Sequence, residues 1–337
     1  MIDLLPSDEQ QAIVASVAEF ASRELSIKRL WNGEHASAHI GPELWRTIAG
    51  LGWFGLGLPA ESGGTGYTLI EEMLVARELA KHVSSPALLA AMLAAHAADE
   101  AGLAEVRDGI VRGEIRVALA NALDAQTDAY HLFDATDDAT LLAWTAAGCR
   151  MFAGSAFRER RRVAAIDDSV VVERAVLADA PLASLPVAQS SLAGRATLLV
   201  AAQLVGVAEA TRDQAVDYAK VREQFGQPIG AFQALKHRCA DMAVQAELAY
   251  AQTFLAGLFE LHAQTDSVFQ GAAARVLAGE AALDNARSAI QIHGAIGFTW
   301  ECDVHWLLKR AHLLRQLGGS PAAFRRMLRD HGPALAA

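Results

Sequence analysis

The densest chemistry in the chain lies between Val221 and Gln233, V-R-E-Q-F-G-Q-P-I-G-A-F-Q. One guanidinium, Arg222, stands beside the amides Gln224 and Gln233, the ring of Phe225, and a turn built on Gly226, Pro228 and Gly230. Turning a chain between two helices needs only Gly, Pro and something polar. The additional groups suit anion binding, because Arg presents a planar fork of donors that matches phosphate oxygens and Lys does not. Taken alone, Arg222 also reads as a last-turn residue interacting with a helix macrodipole. About 70 residues further on, Q-I-H-G-A-I-G-F-T-W-E sets Gln291 beside Gly294, where the missing side chain lets backbone approach a ligand closely.

The other polar residues read as structural. His237 and Cys239 lack the further ligands of a metal site, so no metal is expected, and Cys239 reads as core. Asp241 and Glu247 read as ion-pair partners on a helical bundle. His293, His305 and His312 are of a residue type whose ordinary titration lies near neutrality, but no nucleophile accompanies them.

The elements that must position these groups follow from periodicity. Residues 1–112 read as a helical domain. Ser7 with Gln10 caps a first helix carrying Ile13, Val17 and Phe20, a second helix starts near Pro42, and the loop L-P-A-E-S-G-G-T-G-Y-T runs from Leu58 to Thr68. Helices resume over Ile70–Leu79 and Pro86–Ala101. Residues 113–187 read as a small, reduced β-rich domain, with β-branched runs at Val163–Ile166 and Val170–Val172 and exit markers at Pro181 and Pro186. The arginines at 158, 160, 161 and 162 read as a solvated loop.

Residues 188–337 read as an antiparallel four-helix bundle. A first helix spans Ser190–Arg222. A second carries Leu235, Cys239, Met242, Ala246 and Ala249 as a seam, and a third carries Val276, Leu283, Ala286 and Ile290. Further helices are predicted over Val304–Leu317 and Pro321–His331. The fold class is therefore mostly α, with helical, small β and helical-bundle parts in that order.

Composition narrows the partners. The chain has 337 residues, 53% of them hydrophobic, and 39 acidic against 29 basic side chains give a formal charge of -10, which disfavours nucleic acid. The longest apolar run, Ala196–Ala208, falls short of the ~20 residues a membrane span needs and reads as a helix buried on all sides. Three scattered cysteines and an acidic opening, M-I-D-L-L-P-S-D-E-Q-Q, lead us to expect a reducing, cytoplasmic setting.

Three segments resemble the acyl-CoA dehydrogenase family. L-P-A-E-S-G-G-T-G resembles its Leu-Pro-Glu-x-x-Gly-Gly-x-Gly loop. The Arg222 segment resembles the turn that grips the FAD diphosphate of a neighbouring subunit. Gln291–Glu301 resembles Gln-x-x-Gly-Gly-x-Gly-Phe/Tyr-x-x-Glu, with Ala295 at the second Gly. The resemblance implies FAD at a subunit interface, with Arg222, Gln224, Phe225 and Gln233 reaching the cofactor from across it and Gln291 and Gly294 at its adenosine and diphosphate end. It also implies an acyl-CoA substrate and an electron-transfer flavoprotein as acceptor.

The same comparison exposes gaps. The family's base is a Glu at one of two positions, which fall here on Gly318 and Ala196, and neither residue can take a proton. The Arg that commonly follows the second position is Thr197, with Arg195 nearby. The strand motifs that cover the flavin ring are missing between Ile115 and Val187, where A-L-A-N-A-L-D from Ala118 to Asp124 is a poor substitute. Two readings result. One is a subunit of a hetero-oligomer, resembling the shorter subunits that act on steroid-derived CoA thioesters, whose homologous partner supplies the base. The other is a complete homo-oligomeric enzyme with a base such as Glu209, Glu301 or Asp303.

Overall fold

Ser7 opens helix α1 (Asp8–Glu24) with a reciprocal capping box. Its hydroxyl accepts the Gln10 N–H at 3.2 Å, and its own N–H donates to the Gln10 side chain at 2.9 Å. This is the computed structural model of the chain, and it describes residues 5–31, 39–123 and 128–332. The first four residues and Asp124 lie outside the described residues.

Helix α2 (Pro42–Gly50) is followed by the Gly-rich segment, pinned where the Thr65 hydroxyl donates to the Leu56 carbonyl at 2.8 Å. Thr68 and Glu71 form a second capping box at the start of α3 (Leu69–Ala80). Helix α4 (Pro86–Glu100) is buried from Pro86 through Ala98, which explains why its sequence is apolar on every face. Helix α5 (Ala104–Val111) ends this part.

A seven-stranded sheet follows: β1 (Val117–Ala122), β2 (Ala129–Phe133), β3 (Thr140–Thr145), β4 (Gly148–Ala153), β5 (Phe157–Arg162), β6 (Val172–Leu177) and β7 (Ala183–Pro186). Their spatial order is β5-β6-β2-β1-β3-β4-β7. The β1–β3 pair is parallel, matching Leu119 with Leu142, and the other pairs are antiparallel.

Two strand expectations are corrected here. Val163–Ile166 is not a strand, and the strand near Val170 starts at Val172. The arginine run is edge strand β5 rather than a loop. Its charge blunts the exposed edge, and Arg160 is held by Glu173 and Asp137 (2.6 Å to the latter).

The bundle is built on α6 (Leu192–Val221), which packs against α3, α7 (Gln233–Leu261), α8 (Ser267–His293) and α9 (Val304–Leu314). Every α6 residue from Leu198 to Thr211 is buried. By length and composition α6 could cross a membrane, but 78% of its apolar window is buried inside the protein. Helix α10 (Pro321–Asp330) lies on α8. In the seams, Met242, Ala246, Ala249, Leu283, Ala286 and Ile290 are buried, whereas Leu235, Cys239 and Val276 are half-buried. The Asn285 amide donates to the carbonyls of Ala208 (3.1 Å) and Met242 (2.9 Å), tying three helices at one level.

Two buried ionic clusters fix the parts together. Arg310 on α9 reaches Asp167 (2.5 Å), the Ser169 hydroxyl (3.0 Å) and the Ser84 carbonyl, joining bundle, sheet and first helices. Glu72 on α3 accepts from Arg195 of α6 and pairs with His96 of α4 at 2.7 Å. Burial alone would raise the Glu72 carboxyl, but the His96 hydrogen bond and the Arg195 charge outweigh it and hold it below the usual carboxylate range.

Candidate functional site: an exposed bundle end and an inner cavity

The chemically dense segments converge at one end of the bundle. Arg222 caps the C-terminus of α6, its N–H donating to the Tyr218 carbonyl (2.9 Å) and its carbonyl accepting the Ile229 N–H (2.7 Å). Only its backbone is used. Its exposed guanidinium makes no hydrogen bond or ion pair among the described residues.

The next residues form a two-strand ribbon, β8 (Glu223–Gln224) and β9 (Gln227–Pro228), with Gln224 opposite Gln227. Phe225 and Gly226 make the turn, at φ +55 and +79. Positive φ at both central residues is the type I′ geometry, which suits Asn or Gly and strains a bulky side chain. Phe225 is nevertheless there, 92% exposed, its ring meeting that of Phe232 edge-on with centroids 6.1 Å apart. Neither hydrophobic burial nor backbone preference within this chain accounts for it.

The end of α8 lies alongside. His293 stacks on Tyr218 at 4.3 Å and bonds the Ala289 carbonyl through Nδ1 at 2.7 Å, locking the ends of α6 and α8 together. Gln291 is exposed, and Gly294 closes α8 at φ +66, which a side chain would resist. Beyond it Ile296, Phe298 and Trp300 stand exposed. Gln233, also exposed, is the first residue of α7 at this same end. Arg222, Gln224, Phe225, Gln233, Gln291 and Gly294 are thus all exposed at one end of the bundle.

If Phe225 serves a contact outside this chain, Phe225→Gly should stabilise the isolated protein by about 1 kcal/mol through relief of the left-handed strain. A thermal melt of the pure chain checks this. Destabilisation would mean that the ring is instead supported from within.

Glu209, Glu301 and Asp303 do not meet around a reactive cavity. Glu209 is buried between Arg77 (3.4 Å) and Lys81 (3.2 Å), and Glu301 is exposed. Asp303 accepts the Trp31 indole N–H at 2.7 Å, and burial raises its carboxyl. Glu247 pairs with Arg212 at 3.5 Å, whereas Asp241 has no ion pair among the described residues. His237 is exposed and Cys239 is half-buried. Burial pushes the Cys149 thiol up to about 12, so it stays protonated. Among the described residues no three His, Cys, Asp or Glu side chains converge as metal ligands.

A separate cavity of about 490 Å³ lies among α6, α8, α10 and the β3–β4 turn. Gly318 and Gly319 line it, as do Ala193, Gly194, Thr197 and Leu198 of α6. Ala196 does not, because it is buried on another face of that helix. Arg195 is also drawn away, into the contact with Glu72. At Gly318, with φ +71, a Cβ would lie 2.1 Å from Trp144 Nε1, and the Gly318 N–H donates to Asn121 at 3.1 Å. The loop is docked onto β1 and β3 so closely that no side chain fits at this position. Among the described residues one acidic side chain lines the cavity, that of Glu260 near the end of α7.

Comparison with known proteins decides the lineage. Residues 7–114 match the model of the acyl-CoA dehydrogenase N-terminal domain, and residues 185–331 match that of its C-terminal domain. Acyl-CoA dehydrogenase IpdE2 of Mycobacterium tuberculosis is 32% identical over 96% of this chain and 98% of its own length. The chain belongs to the acyl-CoA dehydrogenase family.

Membership places the chain among FAD-binding oxidoreductases. Acyl-CoA dehydrogenase FadE34 of Mycobacterium tuberculosis is 34% identical over 85% of this chain, which spans only 42% of that relative's length. The fold also matches one chain of the structure of the ChsE4–ChsE5 complex from Mycobacterium tuberculosis, with a TM-score of 0.78 and 22% identity over 99% of this chain and 100% of the other.

Sequence reading located the exposed end because its motifs are local. It missed Glu260 and Trp144. Glu260 sits in an ordinary helical stretch, F-E-L, and Trp144 in an ordinary strand, so neither carries a local signal.

Proposed function

We propose that this chain is a subunit of a hetero-oligomeric acyl-CoA dehydrogenase that completes an FAD site with a homologous partner. In this reading the partner supplies the catalytic base and most of the flavin cleft. FAD, when bound, supplies the hydride acceptor for α,β-dehydrogenation of an acyl-CoA thioester. Arg222 would hold the diphosphate, with Gln224, Phe225 and Gln233 flanking it and Gln291 and Gly294 at its adenosine side. Electrons would pass on to an electron-transfer flavoprotein.

The observation that carries the proposal is the strained, solvent-exposed Phe225 beside the unpaired guanidinium of Arg222. Strain and exposure of that kind persist where something outside the chain meets them. The donor set fits the diphosphate end of FAD: a free planar cation, exposed amides and the open backbone at Gly294. Against unaided catalysis stands the filled space at Gly318; Glu260, the carboxyl that lines this cavity among the described residues, packs against α6 at Gly194 and occupies neither of the family's usual base positions. The relative solved as a ChsE4–ChsE5 complex is consistent with a two-component assembly.

Acyl-CoA-driven dye reduction tests this directly. The pure chain should show none, and a co-expressed complex with a longer homologue should be active. Turnover by the chain alone would overturn the proposal.

A further inference from the structure

We infer that a small pocket between α8 and α10 binds one halide-sized monovalent anion, held by the buried guanidinium of Arg275. This goes beyond the flavin-sharing role, which concerns the bundle end and assigns Arg275 nothing.

Arg275 lies on α8, 4% exposed, in surroundings that serve only part of its donor set. Its Nη2 donates to the carbonyls of Leu314 (3.3 Å) and Leu317 (3.0 Å) beyond the end of α9. The Phe324 ring of α10 meets the guanidinium carbon, with its centroid at 4.6 Å. A ring stacked this way accepts no hydrogen bond from N–H groups lying in the guanidinium plane. Nε and Nη1 are buried and have no hydrogen-bond partner among the described residues. Buried donors of a cation are costly to leave unmet, so a partner from outside the chain fits them.

Charge makes that partner an anion. Among the described residues no carboxylate pairs with Arg275, and the charge acting on it is that of Arg315, a second cation. Burial first, and the Arg315 charge second, lower the Arg275 pKa to about 9, which leaves it ionised at neutral pH. Arg315 crosses α8 at Gly279, where a Cβ would lie 3.2 Å from its Nε, and lines the same pocket. Glu280 and Asp284 act on Arg315 but are bonded to Arg325 (2.7 Å) and Arg287 (3.3 Å). Pro321, the first residue of α10, adds the positive end of that helix dipole. A water molecule would satisfy the free N–H groups but would leave the buried charge uncompensated.

Size selects the anion. The pocket holds about 10 Å³, room for roughly one water-sized sphere. That admits a halide and excludes phosphate, nucleotides and carboxylate metabolites. Because Nη2 caps carbonyls immediately before Gly318, the anion would also steady the turn leading into the inner cavity.

Thermal melts of the full chain in sodium chloride and in sodium gluconate, each at about 0.15 M, test the inference at equal screening. Gluconate is too large for the pocket. Chloride should raise the midpoint by about 2 °C, as a millimolar site would. Arg275→Lys should lose this gain, because an ammonium keeps the charge without the planar fork. Arg315→Gln removes a half-buried side chain that makes no hydrogen bond among the described residues. It should fold normally and lose roughly half the gain. Should Arg275→Lys not fold, Arg315→Gln carries the comparison alone. Crystals soaked in bromide should show an anomalous peak within hydrogen-bonding distance of Arg275 Nε.

Equal midpoints in the two salts, a chloride gain kept in full by either folded variant, or bromide-soaked crystals without that peak would overturn the inference. The melts contain neither flavin nor partner, so their failure is separable from failure of the subunit reading.

Discussion

Replacing Gly318 with Glu, which would put a carboxylate back where the family commonly holds its base, is expected to destabilise the chain by roughly 4 kcal/mol and to give no dehydrogenation. The residue lies at φ +71, a conformation that costs any L side chain about 1–2 kcal/mol. Its Cβ would meet the Trp144 indole at 2.1 Å, and Trp144 is buried on strand β3 opposite Cys149 with no room to withdraw. Overpacking of that kind adds roughly 1–3 kcal/mol, more if the Asn121–Gly318 hydrogen bond is lost as the loop lifts. Gly318→Ala should show most of the destabilisation, since the clash begins at Cβ. Chemical denaturation of both variants separates the outcomes. A stable Gly318→Glu protein would show that the loop is free to move and that the base position is vacant rather than filled.

Arg222→Ala should act oppositely, leaving the isolated chain untouched and emptying the complex of flavin. The residue contributes only its backbone to the cap of α6, and its side chain is exposed and unpaired, so the melting temperature of the pure chain should shift by less than about 1 °C. Across an interface the same guanidinium would make charge-assisted, bidentate bonds to a diphosphate, each worth about 1.5–3 kcal/mol. Loss of the pair should weaken FAD retention by roughly 100-fold or more in a co-purified complex. Arg222→Lys should recover only part of it, because an ammonium cannot reproduce the fork. Undiminished flavin in the Arg222→Ala complex would remove Arg222 from the site.

Legibility in the sequence followed the range of the interactions. Capping at Ser7–Gln10 and the bundle seams at Met242–Ala249 and Leu283–Ile290 are set by spacing within one helix, and the sequence displays them. A turn was expected on Gly226, Pro228 and Gly230, and its central residues are Phe225 and Gly226. The β region was harder. Edge strand β5 reads F-R-E-R-R-R, which charge made look like a loop, whereas the β-branched Val163–Ile166 lies beyond the strand's end. Counting along α6 placed the second base position at Ala196 but could not tell which face it occupied; Ala193, Gly194 and Thr197 face the cavity instead. The Trp144–Gly318 contact and the Glu260–Gly194 contact bring together residues 174 and 66 positions apart in the numbering, and no local pattern records such pairs.

On the proposed reading, this chain lends its bundle end to an FAD site it cannot complete alone. The visible absorbance spectrum of the purified chain, measured against that of a co-expressed complex with a longer homologue, tests it most directly. The chain alone should be colourless and the complex yellow with bound FAD, while stoichiometric flavin in the lone chain would contradict the claim.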